Sequence, residues 1–243
     1  MKILGIIPAR YASTRFPAKA LADIGGKPMV QRVYEQAMKS SSLSKVVVAT
    51  DHEEIEKVVK GFGGNVCLTS PDHQSGTDRC QEVMNSEPGF DYAINIQGDE
   101  PFIDPQQIDI LASLLDGNTE LATLVKKIDE DEELFDSNVV KCIVAANGSA
   151  LYFSRSAVPF NRNEPKENWV QRGNYFKHIG IYAYRTDILK SITDLKQSSL
   201  EISESLEQLR WLENGYQIKV AETTIGSIGI DTPEDLKKVQ SFL

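Results

Sequence analysis

Residues 91–101 read DYAINIQGDEP. An apolar run of strand character, Tyr92 to Ile96, stops at a glycine, two acids and a proline. Aromatic and β-branched residues suit a pleated, buried surface, whereas Gly98 and Pro101 end one. A buried strand that surfaces at two adjacent carboxylates, Asp99 and Glu100, either turns there or presents charge to a ligand. Its neighbours in the chain decide between the two.

Similar apolar runs occupy residues 3–7, 45–49 and 65–68, each followed by helical periodicity or by a loop leading to it. Between them, residues 28–39 carry Val30, Val33, Tyr34 and Ala37 along one side, and residues 53–62 carry Ile55, Val58, Val59 and Phe62 in the same way. Short apolar strands alternating with amphipathic helices predict an α/β, Rossmann-like, mostly parallel sheet with right-handed crossovers and helices on both faces. Ligands of such sheets bind at the carboxyl ends of the strands. Beyond residue 105 the pattern changes to a helix over 106–115, a strand over 121–125, an acidic stretch over 129–136 and strands over 139–144 and 151–154. A loop rich in Asn, Pro, Glu and Arg, 159–173, is expected to be mobile. A strand over 178–184, one long helix over 200–214, a strand over 217–222 and a strand-like run over 227–230 lead to a last helix. There Thr232 suits the N-cap, Pro233 the first helical position, and Glu234 and Asp235 the positive end of the helix dipole.

At 243 residues, 41% hydrophobic and 25% charged, the chain can bury a sizeable core without staples. Cys67, Cys80 and Cys142 are odd in number and form no CxxC pair, so free thiols in a reducing compartment are expected rather than a disulfide framework or a zinc site. No run approaches the ~18 apolar residues of a membrane span, and the N-terminal MKILGIIPAR is too short for a signal sequence, so a soluble, cytoplasmic protein is expected. A formal charge of −9 argues against nucleic acid or an anionic membrane as partner. It does not exclude a small anion, because local cations dominate within a screening length of ~8 Å.

Such cations follow the first strand. Residues 8–19 read PARYASTRFPAK and set Arg10, Arg15 and Lys19 among small hydroxyls at a strand end, which is a phosphate site by simple electrostatics. Neither GxxxxGK[ST] nor GxGxxG is present, so it is not a standard phosphate loop or a dinucleotide fingerprint, and a dehydrogenase is disfavoured. Asp99 faces the same edge. A bare carboxylate would repel a phosphate, and a divalent ion such as Mg²⁺ reverses that sign. One carboxylate makes a thin metal site. Asp231, ahead of the last helix, is the best candidate for the second, with helix capping as its alternative role.

Eight stretches, IPARYASTRFPAKAL, VATDHEEI, TSPDHQSGTDR, NIQGDEPFI, ALYFSRSAVPF, HIGIYAYR, LEQLRWLENGYQIKV and GIDTPEDL, occur in the order found in the 3-deoxy-manno-octulosonate cytidylyltransferase (CMP-Kdo synthetase) family. The chain resembles that family over nearly its whole length. The resemblance implies a nucleotidyltransferase, glycosyltransferase-A-like version of the sheet, forming a single domain over 1–243. Residues 1–118 would mainly bind nucleotide, and 119–190 would contribute sugar-binding and dimer contacts, the latter over about 121–144. It implies that CTP and the eight-carbon acid sugar Kdo give CMP-Kdo and diphosphate with Mg²⁺, for lipopolysaccharide biosynthesis, in a homodimer. Arg10 and Lys19 would hold the triphosphate, with Pro8, Ala9, Ser13 and Arg15 in the same loop. Asp99 and Asp231 would hold the metal. Ser75, Gly76, Thr77 and Arg79, with Gln97, would surround the nucleotide, and Ser75–Thr77 could equally cap a helix starting near Asp78. The sugar would meet Gln97, Arg155, His178, Tyr182, Glu207 and Gln208. His178 could instead be a satisfied core histidine. Glu100 would only shape the turn. A cytidylyltransferase for 8-amino-Kdo or a sialic acid, and an inactive nucleotide-binding module, are the competing readings.

Overall fold

The structure, a computed structural model, describes residues 1–12, 16–226 and 228–240. Its strands are β1 Ile3–Ala9, β2 Lys45–Thr50, β3 Val66–Leu68, β4 Tyr92–Asn95, β5 Leu121–Lys127, β6 Lys141–Val144, β7 Ala150–Ser154, β8 Phe176–Arg185 and β9 Ile218–Glu222. The helices are α1 Met29–Ala37, α2 Glu53–Gly61, α3 Gly76–Ser86, α4 Pro105–Ala112, α5 Asp131–Phe135, α6 Trp169–Arg172, α7 Thr186–Thr193, α8 Ser199–Glu204, α9 Gln208–Glu213 and α10 Pro233–Gln240.

Among the described residues these strands form one sheet in the order β3-β2-β1-β4-β8-β5-β9, with β6 joining β8 and β7 joining β6. β1 pairs in parallel with β2 and β4, β2 with β3, and β5 with β9. β8 runs against its three neighbours, β4, β5 and β6, and β7 runs against β6. The sheet is therefore mixed and mostly parallel, and its antiparallel pairs gather around the return strand β8 and the β6–β7 pair beside it, which the alternation of strands and helices near the N-terminus could not announce. In β1, Ile3 and Ile7 face one core with Val30, Val33, Ile55, Val59, Ile108 and Leu111 of α1, α2 and α4. Leu4 and Ile6 face the other, with Val83 of α3, Ile188 and Leu189 of α7 and Leu209 and Trp211 of α9. Covering on both faces explains why these strands read as unbroken apolar runs.

The helices begin where their caps dictate. The Ser75 side chain accepts from the Asp78 N–H and Asp78 returns to the Ser75 N–H, a capping box that starts α3. Asp104 accepts from the Gln106 N–H at 2.9 Å, with Pro105 opening α4. Thr232 Oγ1 accepts from the Asp235 N–H at 3.2 Å ahead of α10. Ile230 and Val239 then pack with Ile24 and Met29, which seats the C-terminal helix beside the loop after β1.

Three expectations need correction. The long helix over 200–214 is two helices, broken at Ser205, whose φ of 52° and ψ of 49° are left-handed. The reason is the bidentate pairing of Arg210 with Glu201, at 2.5 and 2.7 Å. In one straight helix those residues would stand about 13 Å apart along the axis. The loop over 159–173 carries α6 and is anchored by Trp169, which is 3% exposed and packs with Ile128, Leu134 and Tyr175. Residues 228–230 form no strand.

Candidate active site

The carboxyl ends of β1, β2 and β4 share one edge of the sheet, and a cavity of about 300 Å³ opens there. One wall is Pro8, Ala9 and Arg10 at the end of β1 with Lys19 and Ala20. The opposite wall is His73, Gln74, Ser75, Gly76 and Arg79, and Gln97, Gly98, Asp99 and Asp231 complete it. Local geometry explains each approach. The Ala18 N–H bonds to the Tyr11 carbonyl at 3.0 Å with Ala18 in the left-handed region (φ 53°), so the loop doubles back and returns Lys19 to the strand end. At Gly98 a Cβ would lie 2.4 Å from the Pro8 carbonyl oxygen, so only glycine lets the loop after β4 press onto β1. The Ile230 N–H bonds to the Asp99 carbonyl at 2.9 Å, which ties the segment before α10 to the loop after β4.

Those approaches bring Asp99 and Asp231 to one point. Lys19 Nζ donates to Asp99 Oδ2 at 2.8 Å and to Asp231 Oδ1 at 3.1 Å. Two carboxylates separated by most of the chain thus hold one cation between them. Hard oxygen donors paired in this way suit Mg²⁺, which commonly takes one or two carboxylates and completes its shell with substrate phosphates and water. Among the described residues no group of three or more acidic, His or Cys side chains is built to cage a metal. Arg10 is exposed at the rim. Ser13 and Arg15 lie outside the described residues.

Arg79 lines the cavity but is 4% exposed, with two of its five N–H donors engaged. Its Nη2 donates to Asp51 Oδ2 at 3.0 Å and its Nη1 to the Thr69 hydroxyl. Thr77 is buried and donates to Glu207 Oε2 at 2.8 Å, away from the cavity. Glu207 lines a neighbouring groove of about 460 Å³ that shares Gln74 and Ser75 with the cavity, and burial pushes its carboxyl pKa up. Gln97 Nε2 donates to the Gly180 carbonyl at 2.5 Å and still faces the cavity.

The other sugar candidates do not line the cavity. Arg155 donates to the carbonyls of Glu204, Ser137 and Ser205. His178 is half-buried, with Nε2 2.9 Å from Thr123 Oγ1, an edge contact to Phe153 and a pKa lowered by burial to about 3. That is the environment of a satisfied core histidine. Gln208 is buried. Tyr182 is buried too, and among the described residues its hydroxyl has no hydrogen-bond partner, nor have Oδ1 of Asn95, its register partner on β4, and Nε1 of Trp211, whose ring packs against it.

Sequence reasoning missed Asp51 and His73. Asp51 directly follows β2 on the edge that carries the site, which was the available signal. His73 sits against Glu82, a contact with no sequence signature. A larger cavity, about 880 Å³, lies at the opposite end of the sheet beside Met1, Tyr92 and Arg185. There Arg185 is already paired with Asp187 at 2.7 Å.

The Cytidylyltransferase family profile matches residues 4–220. A 3-deoxy-manno-octulosonate cytidylyltransferase of Bacteroides thetaiotaomicron is 58% identical, covering 100% of this chain and 98% of its own. One of Phocaeicola vulgatus is 57% identical with the same coverage. The solved structure of a CMP:2-keto-3-deoxy-manno-octonic acid synthetase complexed with CTP superposes with a TM-score of 0.93 at 42% identity, covering 100% of this chain and 98% of that one. With its sheet, its caps and its converging aspartates set beside these relatives, the chain belongs to the 3-deoxy-manno-octulosonate cytidylyltransferase family, a family of nucleotidyltransferases.

Proposed function

We propose that this chain joins CTP and Kdo to give CMP-Kdo and diphosphate, the step that activates Kdo for lipopolysaccharide assembly. The observation that carries the proposal is the meeting of Asp99 and Asp231 on one cation at the carboxyl edge of β1 and β4. In phosphoryl-type transfer there is little covalent work for the protein, so catalysis is positioning and charge stabilisation. The anomeric hydroxyl of Kdo attacks the α-phosphorus in line while charge grows on the departing diphosphate. Arg10 and Lys19 stand where they can take up that charge. The turn from Ser75 to Arg79 forms the wall suited to the cytosine, where fixed donors and acceptors reject a mismatched base by leaving it unpaired. Mg²⁺ would be held by Asp99 and Asp231, and when bound it supplies neutralisation of the α-phosphate beside the sugar's carboxylate and hydroxyl.

Gln97, from the cavity, and Glu207, from the adjoining groove, are the proposed direct contacts to the sugar. Arg155, His178, Tyr182 and Gln208, which do not line the cavity, are the further sugar-binding residues of the same proposal. A homodimer through the region 121–144 belongs to the same proposal, and no helix among the described residues is long and apolar enough to cross a membrane.

The test is a screen of four nucleoside triphosphates against Kdo, 8-amino-Kdo and sialic acid, with diphosphate release and the product mass as readouts. CMP-Kdo as the principal product supports the proposal. Release with sialic acid but not with Kdo overturns the choice of sugar, and binding of CTP without release in any mixture identifies an inactive module.

A further inference from the structure

Asp51 has no role in the reaction outlined above, yet it joins the two walls of the cavity. It is the first residue beyond β2, whose carboxyl end opens beside that of β1. Its Oδ1 accepts the Tyr11 N–H at 3.0 Å, from the root of the loop that follows β1. Its Oδ2 accepts Arg79 Nη2 at 3.0 Å, from the first turns of α3. The Asp51 side chain is 11% exposed and that of Arg79 4%. On one side the tie is reinforced by the Tyr11 ring stacked on His52 at 3.7 Å and 14°. On the other it is reinforced by Thr69, which receives Arg79 and returns to the Thr50 carbonyl at 2.8 and 3.1 Å.

Tyr11 also closes the loop onto Ala18, so Arg10 and Lys19 flank the segment that Asp51 suspends. The guanidinium of Arg79 spends one N–H on Asp51 and one on Thr69. The three further donors of the fork have no protein acceptor among the described residues, in a side chain that lines the cavity. A buried ion pair adds little net stability compared with an apolar contact of the same volume, whereas removing one partner leaves a costly unpaired charge. A charged tie between two cavity walls therefore makes more sense as a device for aiming groups than as cement.

We propose that Asp51 is a positioning residue for nucleotide binding: it fixes the spacing between the Arg10–Lys19 side and the α3 side and aims the spare donors of Arg79 into the cavity. This rests on the nucleotidyl-transfer reading of the same cavity.

The experiment compares wild type, Asp51→Asn and the double variant Asp51→Asn/Arg79→Met. Melting curves are run alongside titrations with each of the four nucleoside triphosphates and KM for the sugar. Asp51→Asn keeps an oxygen for the Tyr11 N–H but strands the guanidinium. It is expected to weaken the nucleotide that wild type prefers by roughly tenfold or more, about the worth of one charge-assisted contact, with KM for the sugar unchanged. In the double variant the stranded charge is gone, so the melting temperature recovers while nucleotide affinity does not. Recovery of both together, or unchanged affinity in Asp51→Asn, overturns the positioning role and leaves a purely structural one. Wild type preferring a nucleotide other than CTP would overturn the cytidylyl reading while the same comparison, made with that nucleotide, still decides the role of Asp51. Wild type binding none of the four overturns both.

Discussion

Single side chains in this fold are either spent on the site or spent on the core, and chemistry tells the two apart. His178 belongs to the core by its contacts: burial lowers its pKa from 6.5 to about 3, so the folded chain holds it neutral while the unfolded chain protonates it. The unfolded state then binds more protons below pH 6.5, and stability falls as pH falls from there toward the folded value. At about pH 5 the loss amounts to roughly 2 kcal/mol. Denaturant midpoints taken from neutral to mildly acid pH should show that slope, and His178→Gln should flatten it. A slope unchanged by the substitution would mean that the ring is not held neutral in the folded chain. Lys19 is the opposite case, a cation whose two partners are both acids at the mouth of the site. Lys19→Met leaves Asp99 and Asp231 facing each other without it. Turnover should drop by roughly 100-fold or more, in line with loss of a group that stabilises developing charge. Binding of Mn²⁺ to the nucleotide-free protein, read by paramagnetic resonance, should tighten because the competing ammonium is gone.

Two elements set the site and a third braces it. The loop after β4 can touch β1 only because residue 98 has no Cβ. Gly98→Ala drives a methyl into a backbone carbonyl that cannot swing aside, and overpacking of that kind costs about 1–3 kcal/mol. Urea midpoints measure the cost, and activity should be lost beyond what the stability change accounts for, since Asp99 is carried on the displaced segment. The brace is the break between α8 and α9, closed by Glu201 and Arg210 with side chains 8% and 12% exposed. The Arg210 hydrogen bonds hold the Glu201 carboxyl below its usual range. Its contribution is therefore full above pH 4.5 and is lost on acidification below that value. Glu201→Ala strands the guanidinium and should cost about 3 kcal/mol or more by chemical denaturation. A change of a few tenths would show that the break is held by Leu206 packing alone.

For the whole molecule, sedimentation at micromolar concentration should give a dimer, and a lone monomer boundary would remove the dimer from the proposal. How far the sequence carried is clearest at particular places. β1, β2 and β4 and the helices packed on them were legible because those strands are buried on both faces, so periodicity reported them directly. Caps at Ser75 and Thr232 were legible because they are local hydrogen bonds between residues three apart. The reversed course of β8 and the break at Ser205 were not, since both depend on partners far along the chain or on a left-handed serine. At the site, the placing of Asp99 beside the loop that carries Lys19 followed from the rule that ligands gather at strand ends, whereas Asp231 arrives from a segment whose described residues, 228–230, form no strand. The engagement of Arg79 by Asp51 was hidden, because a side chain's partner in space leaves no mark on its own letter.

The most direct test is diphosphate release in a single turnover by Asp99→Asn, Asp231→Asn and the double variant. Two carboxylates that serve one shared cation act as a unit, so each single variant should fall by roughly 100-fold or more and the double should fall only slightly further. Release within a few fold of wild type in either single variant, or losses that multiply in the double, would contradict a shared centre.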